Sequence, residues 1–171
     1  MNIVFTGMRG TGKSSLGKEL SRRIKWDFID IDKEIERILN KKVVQYVEEA
    51  GWEAFRKMEQ EVAIEAANRT KTVISTGGGT MMDPESARAL KASGHVVLLI
   101  CDMEKLKEYL LASYERPSLG GEKSAIEELE EVWGQRKDQY HAIADTIHET
   151  NRWPNVKELL EKLKSIPDLD L

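Results

Sequence analysis

Directly after the apolar stretch Ile3-Val4-Phe5 the chain reads Gly7-Met8-Arg9-Gly10-Thr11-Gly12-Lys13-Ser14, a match to G-x-x-x-x-G-K-[ST]. A strand must feed such a loop and a helix must leave it. Leu16, Leu20 and Ile24 do follow at helical spacing. The loop therefore belongs at a helix N-terminus, where unpaired N–H groups and the helix dipole favour anions. Gly7, Gly10 and Gly12 let the backbone fold tightly and turn successive N–H groups inward around phosphate oxygens. Lys13 brings a point charge to the β- and γ-phosphates, and the Ser14 hydroxyl is the expected Mg²⁺ ligand. Gly10, Thr11, Gly12, Lys13, Ser14 and Ser15 form the expected cradle for a nucleoside triphosphate.

The rest of the chain repeats the alternation that the loop demands. Strands are expected at Ile3 to Phe5, near Phe28-Ile29, at Thr72 to Ser75, at His95 to Cys101 and near Thr146-Ile147. Val96 to Ile100 is apolar without alternation, as in a strand covered on both faces. Ile31, Ile35 and Ile38, then Phe55, Val62 and Ala66, then Val156, Leu159 and Leu163 recur at helical spacing. Alternating strands and helices imply an α/β fold with a parallel sheet and helices on both faces. With 171 residues, a single domain over 1–171 is expected. Ser113 to Lys123, holding Pro117 and Gly120-Gly121, reads as a mobile loop.

Bulk properties exclude several partners. Twenty-six basic and 30 acidic residues leave a net charge of −4 with no basic stripe, which disfavours nucleic acid. No segment approaches membrane-spanning length. One cysteine, Cys101, fits a reducing compartment and reads as a buried structural thiol, so a cytoplasmic location is expected; the expected state is a monomer. His95, His141 and His148 lack metal-ligand spacing, and Trp26, Trp52, Trp133 and Trp153 read as packing residues.

Three further features narrow the class. Asn40-Lys41-Lys42-Val43 lacks the aspartate of a guanine-binding signature. Asp102, after the apolar run, could be a metal-binding aspartate, but Met103 follows it and a helix cap is the better reading. Asp30 and Asp32, at the end of the second strand, can both reach one cleft, Asp30 toward Mg²⁺ and Asp32 toward an acceptor. Read alone, the pair is equally compatible with one aspartate capping the next helix. Gly77-Gly78-Gly79 removes three side chains where a strand ends, which suits close approach of a small polar ligand.

Together these residues resemble the shikimate kinase family. The resemblance runs from Ile3 to about Leu163 and rests on several runs in addition to the phosphate loop. They are Phe28-Ile29-Asp30-Ile31-Asp32, Ala54-Phe55-Arg56-x-x-Glu59, Gly77-Gly78-Gly79, Arg116-Pro117 and Arg136 with Tyr140. It implies a P-loop kinase fold: three α/β/α layers, a five-stranded parallel sheet, a mobile lid over about 113–123 and acceptor-binding helices over about 31–60. The implied activity is ATP- and Mg²⁺-dependent phosphorylation of the shikimate 3-hydroxyl to shikimate 3-phosphate, in aromatic amino-acid biosynthesis. The implied roles are Asp32 as base or orienter, Arg56 and Arg136 on the substrate carboxylate, and Gly78 and Gly79 as backbone contacts. Glu59 would hold Arg56, Arg116 would close over the phosphates, and Arg152 with Pro154 would lie against adenine.

The residue types suit these roles independently: guanidinium forks hold planar carboxylates, and Glu59 lies one helical turn from Arg56. The chain departs from the family pattern at Asp138, where a proline is usual, at Ser118, and at Tyr109, which stands near an often basic position. If Asp138 faced the acceptor it would weaken carboxylate binding or favour another substrate. A kinase of gluconate or another polyol acid, and a non-catalytic nucleotide-binding regulator, are the alternatives.

Overall fold

The computed structural model describes residues 1–112, 128–151, 156–169 and 171. The phosphate loop lies at the C-terminal end of β1 (Asn2–Thr6) and opens into α1 (Lys13–Ile24). The chain continues through β2 (Asp27–Asp30), α2 (Ile31–Leu39), α3 (Val43–Ala67) and β3 (Thr72–Ser75). A 3₁₀ turn (Thr80–Met82), α4 (Pro84–Ser93), β4 (Gly94–Ile100) and α5 (Met103–Ala112) follow. Then come α6 (Glu128–Ile143), β5 (Thr146–Glu149) and α7 (Val156–Lys164). All five strands are parallel, in the order β2-β3-β1-β4-β5, so β1 is central and delivers the loop to the middle of the sheet edge.

Each strand sends alternate side chains to opposite faces. Val4, Ile29, Ile74 and Val96 pack against α2, α3 and α4 through Ile35, Phe55, Val62 and Leu90. Ile3, Phe5, Val73, Val97 and Leu99 pack on the other face against Leu16 and Leu20 of α1 and Leu159 and Leu163 of α7. A third cluster, with Leu98, Leu106, Leu129 and Tyr140, closes the C-terminal end beneath Met8. The expected three layers and five strands are present, and strand boundaries differ by one or two residues. Among the described residues no helix is long and apolar enough to cross a membrane.

Local chemistry sets the helix ends. The Asp30 carboxylate accepts the Lys33 N–H at the start of α2, and Asn40 ends that helix in the left-handed region. Gly51, at φ 84° and ψ 168°, breaks α3 into a front and a back segment. Asp102 caps α5 through its carbonyl, which accepts the Leu106 N–H, so the cap reading holds in its backbone form. Cys101 lies one residue past β4 and is half-buried rather than buried, with burial pushing its thiol pKa up.

His148 in β5 is 1% exposed, and neither ring nitrogen has a hydrogen-bond partner among the described residues. Burial depresses its pKa, with Lys162 adding to the effect against Glu158 and Glu149. The folded chain therefore resists protonation at a pH where the unfolded chain, with pKa about 6.5, accepts a proton. The resulting stability is complete above that pH and is lost as pH falls through the folded pKa. Thermal melting should fall between pH 7 and pH 5, and His148→Leu should flatten that slope; an unchanged slope would exclude His148 as its source.

Candidate active site

Two clefts open side by side at the C-terminal edge of the sheet. One, of about 430 Å³, is lined by the phosphate loop from Arg9 to Ser15 together with Tyr109, Leu110 and Thr150. The other, of about 520 Å³, lies between α2, the front of α3 and the glycine turn after β3. Arg9, Ser14, Asp32 and Gly78 line both, so these four residues form the border between the clefts.

On the nucleotide side, Gly10 and Gly12 adopt φ of 84° and 87°, which curls the loop. Lys13 is 7% exposed, and its ammonium donates to the carbonyls of Gly7 (2.9 Å) and Met8 (2.8 Å). The Ser14 hydroxyl donates to Asp30 Oδ2. A hydroxyl and a carboxylate side by side are hard oxygen donors of the kind Mg²⁺ takes alongside phosphate oxygens, so the residues fit the ion. The other Asp30 oxygen caps α2, so the capping role the sequence left open is present.

The glycine turn organises the acceptor side. Thr80 Oγ1 donates to Glu59 Oε1 at 2.7 Å, and the Arg56 guanidinium donates to Glu59 Oε2 at 2.5 Å. Glu59 is 3% exposed, so this carboxylate is a buried bracket that fixes the arginine. The guanidinium carbon also lies 5.3 Å from the ring centres of both Trp52 and Phe55, within cation–π range. From α6, Arg136 donates to the Gly78 carbonyl at 2.9 Å, and the Tyr140 hydroxyl donates to the same oxygen. Two guanidinium groups therefore flank one turn, with the Asp32 carboxylate beside it.

The glycines make that approach sterically feasible. A Cβ on Gly77 would lie 2.6 Å from Glu59 Oε1 and 2.9 Å from Asp32 Oδ1; one on Gly79 would lie 2.6 Å from Arg56 Nη1. Gly79→Ala should displace the Arg56 guanidinium while leaving the sheet intact. An increase of about tenfold in acceptor KM is expected, equivalent to about 1.4 kcal/mol, and steady-state kinetics beside a melting curve would check it.

Sequence expectation and structure part at several residues. Asp138 is exposed on α6 and lines neither cleft, so its charge faces neither of them. Trp52, expected only as packing, both packs edge-on against Phe55 and lines the acceptor cleft. Arg9, Met8 and Thr80 carried no sequence signal, because two fill variable motif positions and the third simply follows the glycines. Arg116 and Arg152, with the 113–123 loop, Ser118 and Pro154, lie outside the described residues.

A five-stranded parallel sheet with a phosphate loop at its centre and a second cleft across the loop defines a P-loop small-molecule kinase. The comparisons narrow the class. The family profile described as "Shikimate kinase" matches residues 9–166. The chain is 35% identical to the shikimate kinase of Syntrophus aciditrophicus, covering 96% of this chain and 91% of that one. It is 36% identical to that of Francisella tularensis subsp. novicida, over 96% and 93%. Shikimate kinase from Acinetobacter baumannii, solved in complex with shikimate, superposes with a TM-score of 0.87 at 29% identity, covering 96% of this chain and 90% of that one. The chain belongs to the shikimate kinase family.

Proposed function

We propose that this chain transfers the γ-phosphoryl group of ATP, with Mg²⁺, to the 3-hydroxyl of shikimate. The observation that carries the reading is the glycine turn flanked by Arg56 and Arg136, in a cleft that shares a border with the phosphate loop. Two guanidinium groups suit an acceptor bearing a carboxylate on a compact polar body. The family supports the particular acceptor.

In this mechanism the nucleotide phosphates take over the Lys13 ammonium from the carbonyls of Gly7 and Met8. Ser14 and Asp30 would hold Mg²⁺, which would neutralise phosphate charge. Arg56 and Arg136 hold the acceptor carboxylate, which turns the hydroxyl toward Asp32. The hydroxyl oxygen forms its bond to the γ-phosphorus as the bond from phosphorus to the bridging oxygen breaks. The electron pair leaves with ADP, and the hydroxyl proton passes to the Asp32 carboxylate. Such a loose transfer needs alignment and charge stabilisation more than covalent chemistry. Arg116 over the phosphates and Arg152 at the base complete the scheme on resemblance alone. Tyr109 lines the nucleotide cleft and suits stacking on the base. A cytoplasmic monomer is the setting that goes with this reading.

The test is ADP release from Mg·ATP with shikimate, quinate or gluconate added. Stimulation by shikimate alone is the expected result. Stimulation by gluconate instead would overturn the acceptor assignment, and nucleotide binding without turnover on any acceptor would overturn the enzymatic one.

A further inference from the structure

Of the four residues on the border between the clefts, Arg9 is the only one with a cationic side chain; the others are Ser14, Asp32 and Gly78. A phosphoryl group moving from one cleft to the other must pass this border. In the transition state its charge is spread over three equatorial oxygens, with the bond to ADP largely broken and the bond to the acceptor not yet complete. Among the described residues, Lys13 lines only the nucleotide cleft, whereas Lys33, Lys42, Arg56 and Arg136 line only the acceptor cleft. Arg9 stands between these two sets of cations.

Its placement is also fixed. The backbone N of Arg9 lies 3.7 Å from where a Cβ would stand on Gly78, so a side chain there would touch the phosphate loop. Its guanidinium is 3.4 Å from Glu128 Oε2, with the two side chains 14% and 8% exposed. Glu128 is the first residue of α6, the helix that also carries Arg136. At 3.4 Å the pair is longer than a tight charge-assisted bond. A guanidinium carries five N–H donors in a planar fork, which suits it to binding anions.

We propose that Arg9 is a catalytic residue that touches the phosphoryl group in transit, and that Glu128 is the positioning residue that aims it. The inference rests on the transfer between the two clefts proposed above. It gives the phosphate loop a second charged group with a task different from that of Lys13. Lys13 lines only the nucleotide cleft, whereas Arg9 meets the group as it crosses between the clefts, so the effect of Arg9 belongs in kcat rather than KM.

The experiment compares the full chain with Arg9→Met, Arg9→Lys, Glu128→Gln and the Arg9→Met/Glu128→Gln pair. Steady-state kinetics on Mg·ATP and shikimate are measured beside binding of ADP with and without aluminium fluoride, a mimic of the transferring group. Arg9→Met should lower kcat about 10²-fold, with both KM values within about threefold, and Arg9→Lys should recover part of the loss. Glu128→Gln should lower kcat less than tenfold, and the paired variant should be no slower than Arg9→Met. The affinity that ADP gains from aluminium fluoride should disappear in Arg9→Met, while affinity for ADP alone stays. Wild-type kcat in Arg9→Met, or a defect wholly in KM, would overturn the proposal. If shikimate does not stimulate the wild-type chain, the acceptor reading fails separately. The fluoride measurement then still decides on Arg9, because an equal gain in wild type and Arg9→Met would refute its role.

Discussion

Lys13→Ala should reduce kcat by about 10³-fold or more, in the range seen when a preorganised charge on a transferring group is removed. The argument starts from burial. The ammonium is 7% exposed and bonds to two loop carbonyls, so the loop holds a charge in place before any nucleotide arrives. Removing it leaves the Gly7 and Met8 carbonyls without that donor and the incoming phosphates without their nearest point charge. A second consequence follows from the same geometry. Hydrogen bonds to charged groups contribute about 1.5–3 kcal/mol each, so the variant should also melt at a lower temperature, while the core clusters around Phe5 and Leu20 keep the sheet folded. Turnover and melting measured together check both effects, and wild-type turnover would refute the loop assignment.

Asp32→Asn should reduce kcat by about 10²-fold to 10⁴-fold, the usual contribution of a positioned base. The substitution is nearly isosteric, so the close approach of this side chain to Gly77 is preserved. What it loses is the ability to take the hydroxyl proton. Acceptor KM should therefore change little while kcat falls. A defect confined to KM would make Asp32 a binding group only.

What the sequence made legible was local. The phosphate loop, the caps and the strand runs depend on neighbours in the chain, and so does the one-turn spacing of Arg56 and Glu59. Features set by long-range contact were not legible. Thr80 joins Glu59 across 21 positions and Arg9 meets Glu128 across 119, and no spacing rule connects either pair. Asp138 is a case where periodicity could have answered the question. Two residues along a helix turn the side chain through about 200°, so a residue two after Arg136 faces away from whatever Arg136 faces. Trp52 was hidden for the opposite reason, since an aromatic near Phe55 on a helix reads as core whether or not it also borders a cleft.

The break in α3 at Gly51 divides two kinds of evolutionary freedom. The segment before it contributes Val43, Val44 and Gln45 to the acceptor cleft without joining the fully buried core, whereas the segment after it carries Arg56 and Glu59 and buries Phe55, Val62 and Ala63. Mutational libraries aimed at new acceptors can therefore vary Val44 and Gln45 at little cost to folding, while Val43, Tyr46 and Val47 keep their packing against the core. The back segment constrains catalysis and stability together, and has to be inherited intact.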